Sequence, residues 1–152
     1  MTSLRGFLLL ARARMELLRA LKIAIFERAT EAGSPLGQLV GTKVFDTRVP
    51  PGQDPPWVRY YVVAAGEENV FYTKPPVATR LRVAFDAVSS QSVATEAENI
   101  ADAVAQQFDG ETLVEEGWAF SFKRAAKRKL FDPDTQSWMV TVEYQVMAKA
   151  VS

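Results

Sequence analysis

Along residues 138–148, apolar and polar positions alternate. Trp138, Val140, Val142, Tyr144, Val146 and Ala148 fall on one side of a strand, and Met139, Thr141, Glu143, Gln145 and Met147 on the other. Successive side chains of a strand point to opposite faces of a sheet, so the first set predicts a buried face. "RLRVAFDAV" shows the same alternation, with Leu81, Val83, Phe85 and Ala87 inward and Arg80, Arg82 and Asp86 outward. "WVRYYVVAA" predicts another strand, and "TKVFDTRV" a short extended piece that buries Val44 and Phe45. In two places the period lengthens to that of a helix. From Met15 to about Thr30, Leu17, Leu18, Leu21, Ala24 and Ile25 form one broad stripe, while Ile23 and Phe26 lie opposite it among Arg19, Lys22 and Glu27. Between Ser89 and Gly110 a second helix buries Val93, Ala97, Ile100, Ala101, Val104 and Phe108. Ser92 or Thr95 caps it, with Glu98 three residues after Thr95, and Gly110 stops it.

The intervening segments carry turn and breaker residues. "AGSPLGQLVG" ends the first helix, and "PPGQDPP" separates two strands because proline cannot donate to a ladder. "GEENVFYTKPPVAT" predicts a long loop presenting Phe71 and Tyr72, and Asp132, Pro133 and Asp134 mark the turn between the last two strands. The resulting order is helix, two or three strands, helix, three strands. It predicts a single α+β domain whose mostly antiparallel sheet is packed by two main helices. That domain spans residues 15–152, and residues 1–14 form a helical or flexible extension, with Met15 an alternative start. The run "GFLLLA" is too short to span a bilayer, and Arg12 and Arg14 interrupt a signal-peptide pattern, so no membrane partner is expected.

Composition narrows the chemistry. The 152 residues are 48% hydrophobic, enough for one core, and 18 basic residues balance 18 acidic ones, which leaves no overall field to draw in an anionic polymer. With neither Cys nor His, the chain has no disulfide, thiolate nucleophile, zinc site of the usual ligands or histidine proton shuttle. Asp86, Glu96, Glu98 and Asp102 lie near one another in sequence, but no phosphate-cradling loop accompanies them. They predict a solvated helix face, and the chain is expected to be no enzyme, with no metal, cofactor or catalytic residue. "KRAAKRK" supplies a candidate basic surface of Lys123, Arg124, Lys127, Arg128 and Lys129, preceded by Trp118, Phe120 and Phe122. A nucleic-acid-binding module is one reading of that run. On a strand its charges divide between two faces, and charged edges commonly guard against aggregation, so no specific nucleic-acid binding is expected.

Several stretches, taken together, carry a resemblance. "MELLRALKIAIFERA" leads to "LVGTKVFDTRVPPGQDPPWVRYYV", then to "RLRVAFDAVSSQSVATEAENIADAVAQQF", and ends in "KLFDPDTQSWMVTVEYQV". From about Met15 to Ala150 the chain resembles the small tail-completion, or tail-terminator, proteins of long-tailed bacteriophages. The resemblance implies a structural virion protein that forms a ring, typically a hexamer. The ring caps the tail tube at its head-proximal end, stops polymerisation and offers a surface for head–tail joining. Its implied partners are itself, the tail tube protein and a connector or neck protein, with assembly in the host cytoplasm. A neck or head-completion adaptor of similar size is the alternative within the virion. No catalytic residue carries over. Closed rings match one patch on a subunit to a different patch on its neighbour. The residues themselves suggest Ile23, Phe26, Phe71, Tyr72, Met139 and Met147 as candidate interface positions.

Overall fold

The computed structural model describes residues 4–65, 78–90 and 92–151. Two central strands, β3 (Thr79–Val88) and β6 (Ser137–Ala150), pair antiparallel along their length, and the remaining strands add outward on either side. On one side lie β2 (Trp57–Ala65) and then β1 (Val44–Asp46), which runs parallel to β2. On the other lie β5 (Trp118–Asp132) and β4 (Thr112–Glu115). The sheet order is thus β1-β2-β3-β6-β5-β4, antiparallel except at the β1 edge. Three helices complete the α+β fold: α1 (Leu4–Ala29), α2 (Pro35–Val40) and α3 (Thr95–Phe108).

The predicted period-two faces explain the core. Register pairs Leu81 with Val146, Val83 with Tyr144, Phe85 with Val142 and Ala87 with Val140, so the inward residues of both strands share one face. Helix α3 lies on that face and inserts Phe108 among Phe85, Phe122 and Tyr144, with ring centroids 4.7, 5.4 and 6.4 Å away. Ala97, Ala101 and Ala103 keep α3 close to the sheet. The sheet curls far enough for α1 to approach both edges. Lys22 pairs with Asp46 on β1, and Arg19 pairs with Glu116 after β4. Leu17, Ala20, Leu21, Ala24 and Ile25 of α1 are buried beneath it.

Several details differ from the sequence reading. The extension takes the helical of its two expected forms from Leu4 onward, continuous with α1, while Leu18 of the expected stripe is half-buried. "SPLGQLV" forms a short helix where only a break was expected: Ser34 Oγ accepts from the Gly37 amide and Pro35 occupies the first turn. That arrangement suits proline, whose missing N–H needs no partner there. Phe45 and Trp138 are half-buried, and Val93 is exposed. Val93 leaves the predicted stripe because α3 starts only at Thr95, with Ala94 at the cap and no side chain bonded there. Neither Ser92 nor Thr95 caps the helix. Instead Glu96 Oε1 accepts from both the amide and the hydroxyl of Ser90, which ties the first turn to the end of β3.

Gln107, with no special mark in the sequence, joins all three helices. Its Oε1 accepts from the Leu36 amide at 2.8 Å, its Nε2 donates to the Arg28 carbonyl at 2.7 Å, and its own carbonyl accepts from Arg28 Nε. The two partners of its side chain are backbone groups at or near helix ends that would otherwise go unpaired in the interior.

Two core tyrosines set the expected pH response. Burial, and then the nearby Asp46 charge, push the Tyr60 phenol up to about 12. Burial, and then the hydrogen bond to Asp109, push Tyr144 up as well. A phenol whose folded pKa is raised favours the folded state below the unfolded value near 10, and that stability is lost as pH climbs through the folded value. With no His or Cys to titrate, thermal melts should be nearly level between about pH 6 and 9 and should fall from about pH 10. A melting temperature that drops steeply between pH 6 and 9 would contradict this account.

Candidate functional site

The second face of the sheet carries no helix among the described residues. Register places Arg59 beside Asp86, Asp86 beside Thr141 and Thr141 beside Arg128. Asp86, expected to point outward to solvent, is instead fully buried on this face. Its Oδ2 accepts from Arg59 Nη2 at 2.5 Å and Nε at 3.2 Å, and its Oδ1 accepts from the Thr141 hydroxyl at 2.7 Å. One step along the strands, Arg128 Nη2 reaches Glu143 Oε1 at 2.6 Å. The two arginines cover the acids they pair with and stay partly exposed themselves, so Asp86, Thr141 and Glu143 are buried on a face without a helix among the described residues. The Tyr61 phenol beside them is raised by burial and then by the Asp86 charge, and the Arg59 guanidinium lies 5.3 Å from its ring.

Beyond this charged band the same face turns apolar. Trp57 pairs with Val88, Val88 with Met139 and Met139 with Leu130, so four adjacent strands contribute one continuous apolar row. The row floors an open groove of about 650 Å³, walled by Pro55 of the 48–56 loop and Pro133 of the β5–β6 turn. Leu130 is 58% exposed, an uncommon state for a leucine aligned with three other apolar side chains. The candidate interface residue Met139 lies in this groove, half-buried. Met147 is half-buried on the same face at the far end of β6, beside Arg80 and Ser121.

Ile23 and Phe26 behave as the helical wheel placed them, away from the buried stripe of α1: Ile23 is half-buried and Phe26 is 42% exposed. Phe71 and Tyr72 lie outside the described residues.

The basic run is divided as expected, and a bulge decides how. Between Arg124 and Ala126 the β5–β6 register slips by one residue. The extra residue turns Lys127 and Lys129 toward the helix face and leaves Arg128 and Leu130 on the other. Lys127 then meets Asp102 at 3.5 Å and Lys129 meets Glu98 at 3.1 Å, both on α3, while Arg124 meets Asp109 at 3.4 Å. The α3 carboxylates remain solvated, Glu98 42% and Asp102 63% exposed, and they are also the counter-charges of the basic strand. With the Arg128–Glu143 pair, every member of the candidate basic surface except Lys123 has an acidic partner among the described residues. No group of three or more carboxylates there is arranged to hold a metal ion, and no described helix is long and apolar enough to cross a membrane.

Comparison with known proteins identifies the family. The family model described as "Tail completion protein gp17" matches residues 24–149. The chain belongs to the tail completion protein gp17 family. Its role is accordingly a structural one, in completing a tail. This tail completion protein also shares its fold with a chain of the virion of a native gene transfer agent particle. The TM-score is 0.69 at 18% identity, covering 88% of this chain and 98% of that one. No curated protein matches the sequence significantly. The family match begins at Ala24, within α1, so the exposed groove and the charged band lie inside it and the first twenty-three residues precede it.

Proposed function

We propose that this tail completion protein assembles into a closed ring, a hexamer, that caps the head-proximal end of the tail tube. The ring ends tube polymerisation and presents a docking surface to the connector or neck protein, as part of a virion assembled in the host cytoplasm. Family membership across residues 24–149 carries the reading. It is supported by apolar surface at two separate places on the subunit: the outer side of α1 at Ile23 and Phe26, and the groove at Met139 and Leu130. A ring needs two different patches, one for each neighbour. The similar chain of known structure is itself part of a virion. A nucleic-acid role for the basic run gains no support, since its charges are largely balanced within the chain.

Negative-stain imaging of the purified protein with and without tail tubes tests the proposal. Rings alone, or caps of matching diameter on tube ends, are the expected result. A protein that stays monomeric at high concentration and leaves tubes uncapped would refute it. Phe26→Asp should weaken assembly by about tenfold or more while leaving the melting temperature within a few degrees, because the side chain is already substantially exposed.

A further inference from the structure

The start of helix α1 and the apolar groove sit at opposite ends of the sheet, and their chemistry is complementary. At the sheet end where β2 finishes and β5 starts, Arg19 of α1 pairs with Glu116, and further along the helix Arg28 approaches Glu111. Increasing residue number along α1 therefore runs away from the β4–β5 turn, and the helix start points past it. The groove lies at the other end of the long strands, where β2 starts and β5 finishes, so the start of α1 is directed away from its own groove.

Beyond the buried Leu17, Arg12, Arg14, Met15 and Glu16 are all exposed, and Met15 is 71% exposed. Residues 4–14 extend the helix by roughly 16 Å at 1.5 Å per residue. Their sequence, "LRGFLLLARAR", is rich in leucine and carries three arginines and no acid. A segment of this composition, held as a helix, suits an apolar surface with acidic neighbours, and Arg12 also pairs with Glu16 of its own helix.

The groove supplies both. Its floor is the Trp57, Val88, Met139 and Leu130 row, and Asp132 lines it, with Asp54 and Asp134 each adjacent in sequence to lining residues. Among the described residues none of these three carboxylates takes part in an ion pair.

We propose that the groove receives the N-terminal segment of α1, residues 4–14, from a second copy of this chain, so that each subunit gives its helix to one neighbour and takes a helix from the other. The inference rests on the ring reading for its biological setting, and it specifies one contact of such a ring, beside the Ile23 and Phe26 surface. A helix laid in an apolar groove is a common recognition mode, and the contact is head-to-tail, since donor and acceptor surfaces differ.

Two full-length variants, Leu8→Glu in the segment and Leu130→Glu in the groove, test this. Each should lower self-association by roughly 30-fold or more, as expected for a central apolar anchor, and Leu130→Glu should leave the melting temperature unchanged because Leu130 is exposed. An equimolar mixture of the two variants retains one intact donor and one intact acceptor. Light scattering should therefore show a 1:1 dimer that grows no further.

The absence of native cysteine permits a second measurement on a chain carrying both Leu8→Cys and Leu130→Cys. Oxidation should produce a ladder of covalent oligomers. A covalent monomer cross-linked within itself, or no cross-link at all, would overturn the proposal. If rings form and neither glutamate variant weakens them, the docking inference fails and the ring reading stands. If the ladder appears without rings on or off the tubes, the docking stands and the ring reading fails. Binding to phosphatidylglycerol vesicles abolished by Leu8→Glu, with self-association untouched, would assign the segment to a lipid surface and refute the proposal.

Discussion

Phe85→Ala is expected to destabilise the subunit by about 3–5 kcal/mol, the usual cost of removing a fully buried aromatic ring and leaving its space unfilled. Phe85 has no solvent exposure and stands where three elements meet. Its ring centroid lies 4.7 Å from that of Phe108 on α3, 5.6 Å from that of Tyr144 on β6 in an edge-on arrangement, and 6.3 Å from that of Tyr60 on β2. No neighbour can move in to fill the gap without giving up its own contacts. Tyr144 is tied to Asp109 by a 2.6 Å hydrogen bond, and Phe108 ends a helix that Gln107 fastens to α1 and α2. Since a domain of this size is stable by only about 5–15 kcal/mol, the change removes a large share of the total. Urea denaturation measures it directly. Phe85→Leu should cost less, roughly 1–2 kcal/mol, because most of the volume is kept. Equal midpoints for wild type and Phe85→Ala would mean that the aromatic cluster is not the centre of the core.

Asp86→Ala should destabilise by about 2–3 kcal/mol, with the loss falling on the uncovered face. The substitution leaves Arg59 without its carboxylate and the buried Thr141 hydroxyl without its acceptor. Breaking a fully buried ion pair costs about 3–5 kcal/mol, but the Arg59 side chain is 34% exposed and can turn to water, so the lower figure applies. Asp86→Asn keeps an acceptor for Thr141 and should cost about half as much. A double-mutant cycle with Arg59→Met isolates the pair, and a coupling near zero would show that the band is held by packing alone. In the structure the Asp86 oxygens are occupied by Arg59 and Thr141, and Asp86 shares no site with Glu98 or Asp102, which face β5.

Much of the architecture follows from local patterns. A period of two commits Leu81, Val83, Phe85 and Ala87, and Val140 through Ala148, to a buried face wherever the strands pair, because a one-residue slip would turn the whole set outward. A helical period does the same for Leu17, Leu21 and Ile25, and for Ile100, Val104 and Phe108. Helix ends were harder to place, since their groups can be satisfied at a distance. Glu96 bonds back to Ser90 where a local cap was expected, and Gln107 serves backbone groups of two other helices. Nothing in the spacing of "AQQF" distinguishes that glutamine from the one beside it.

By itself the sequence determined the composition of the core, the α+β order of elements and the exclusion of histidine and cysteine chemistry, all of which depend on side-chain type and short-range period. Tertiary structure alone decided which charges meet. The bulge between Arg124 and Ala126 turns Lys127 and Lys129 under Asp102 and Glu98, and strand register sets Asp86 against Arg59 and Thr141. It also decided that Trp57, Val88, Met139 and Leu130, drawn from four segments spread over more than eighty positions, line up as one apolar row flooring an open groove. The physical reason is the same in both cases. Periodicity within a segment fixes which side a residue faces, whereas what it faces depends on pairing between segments distant in the chain.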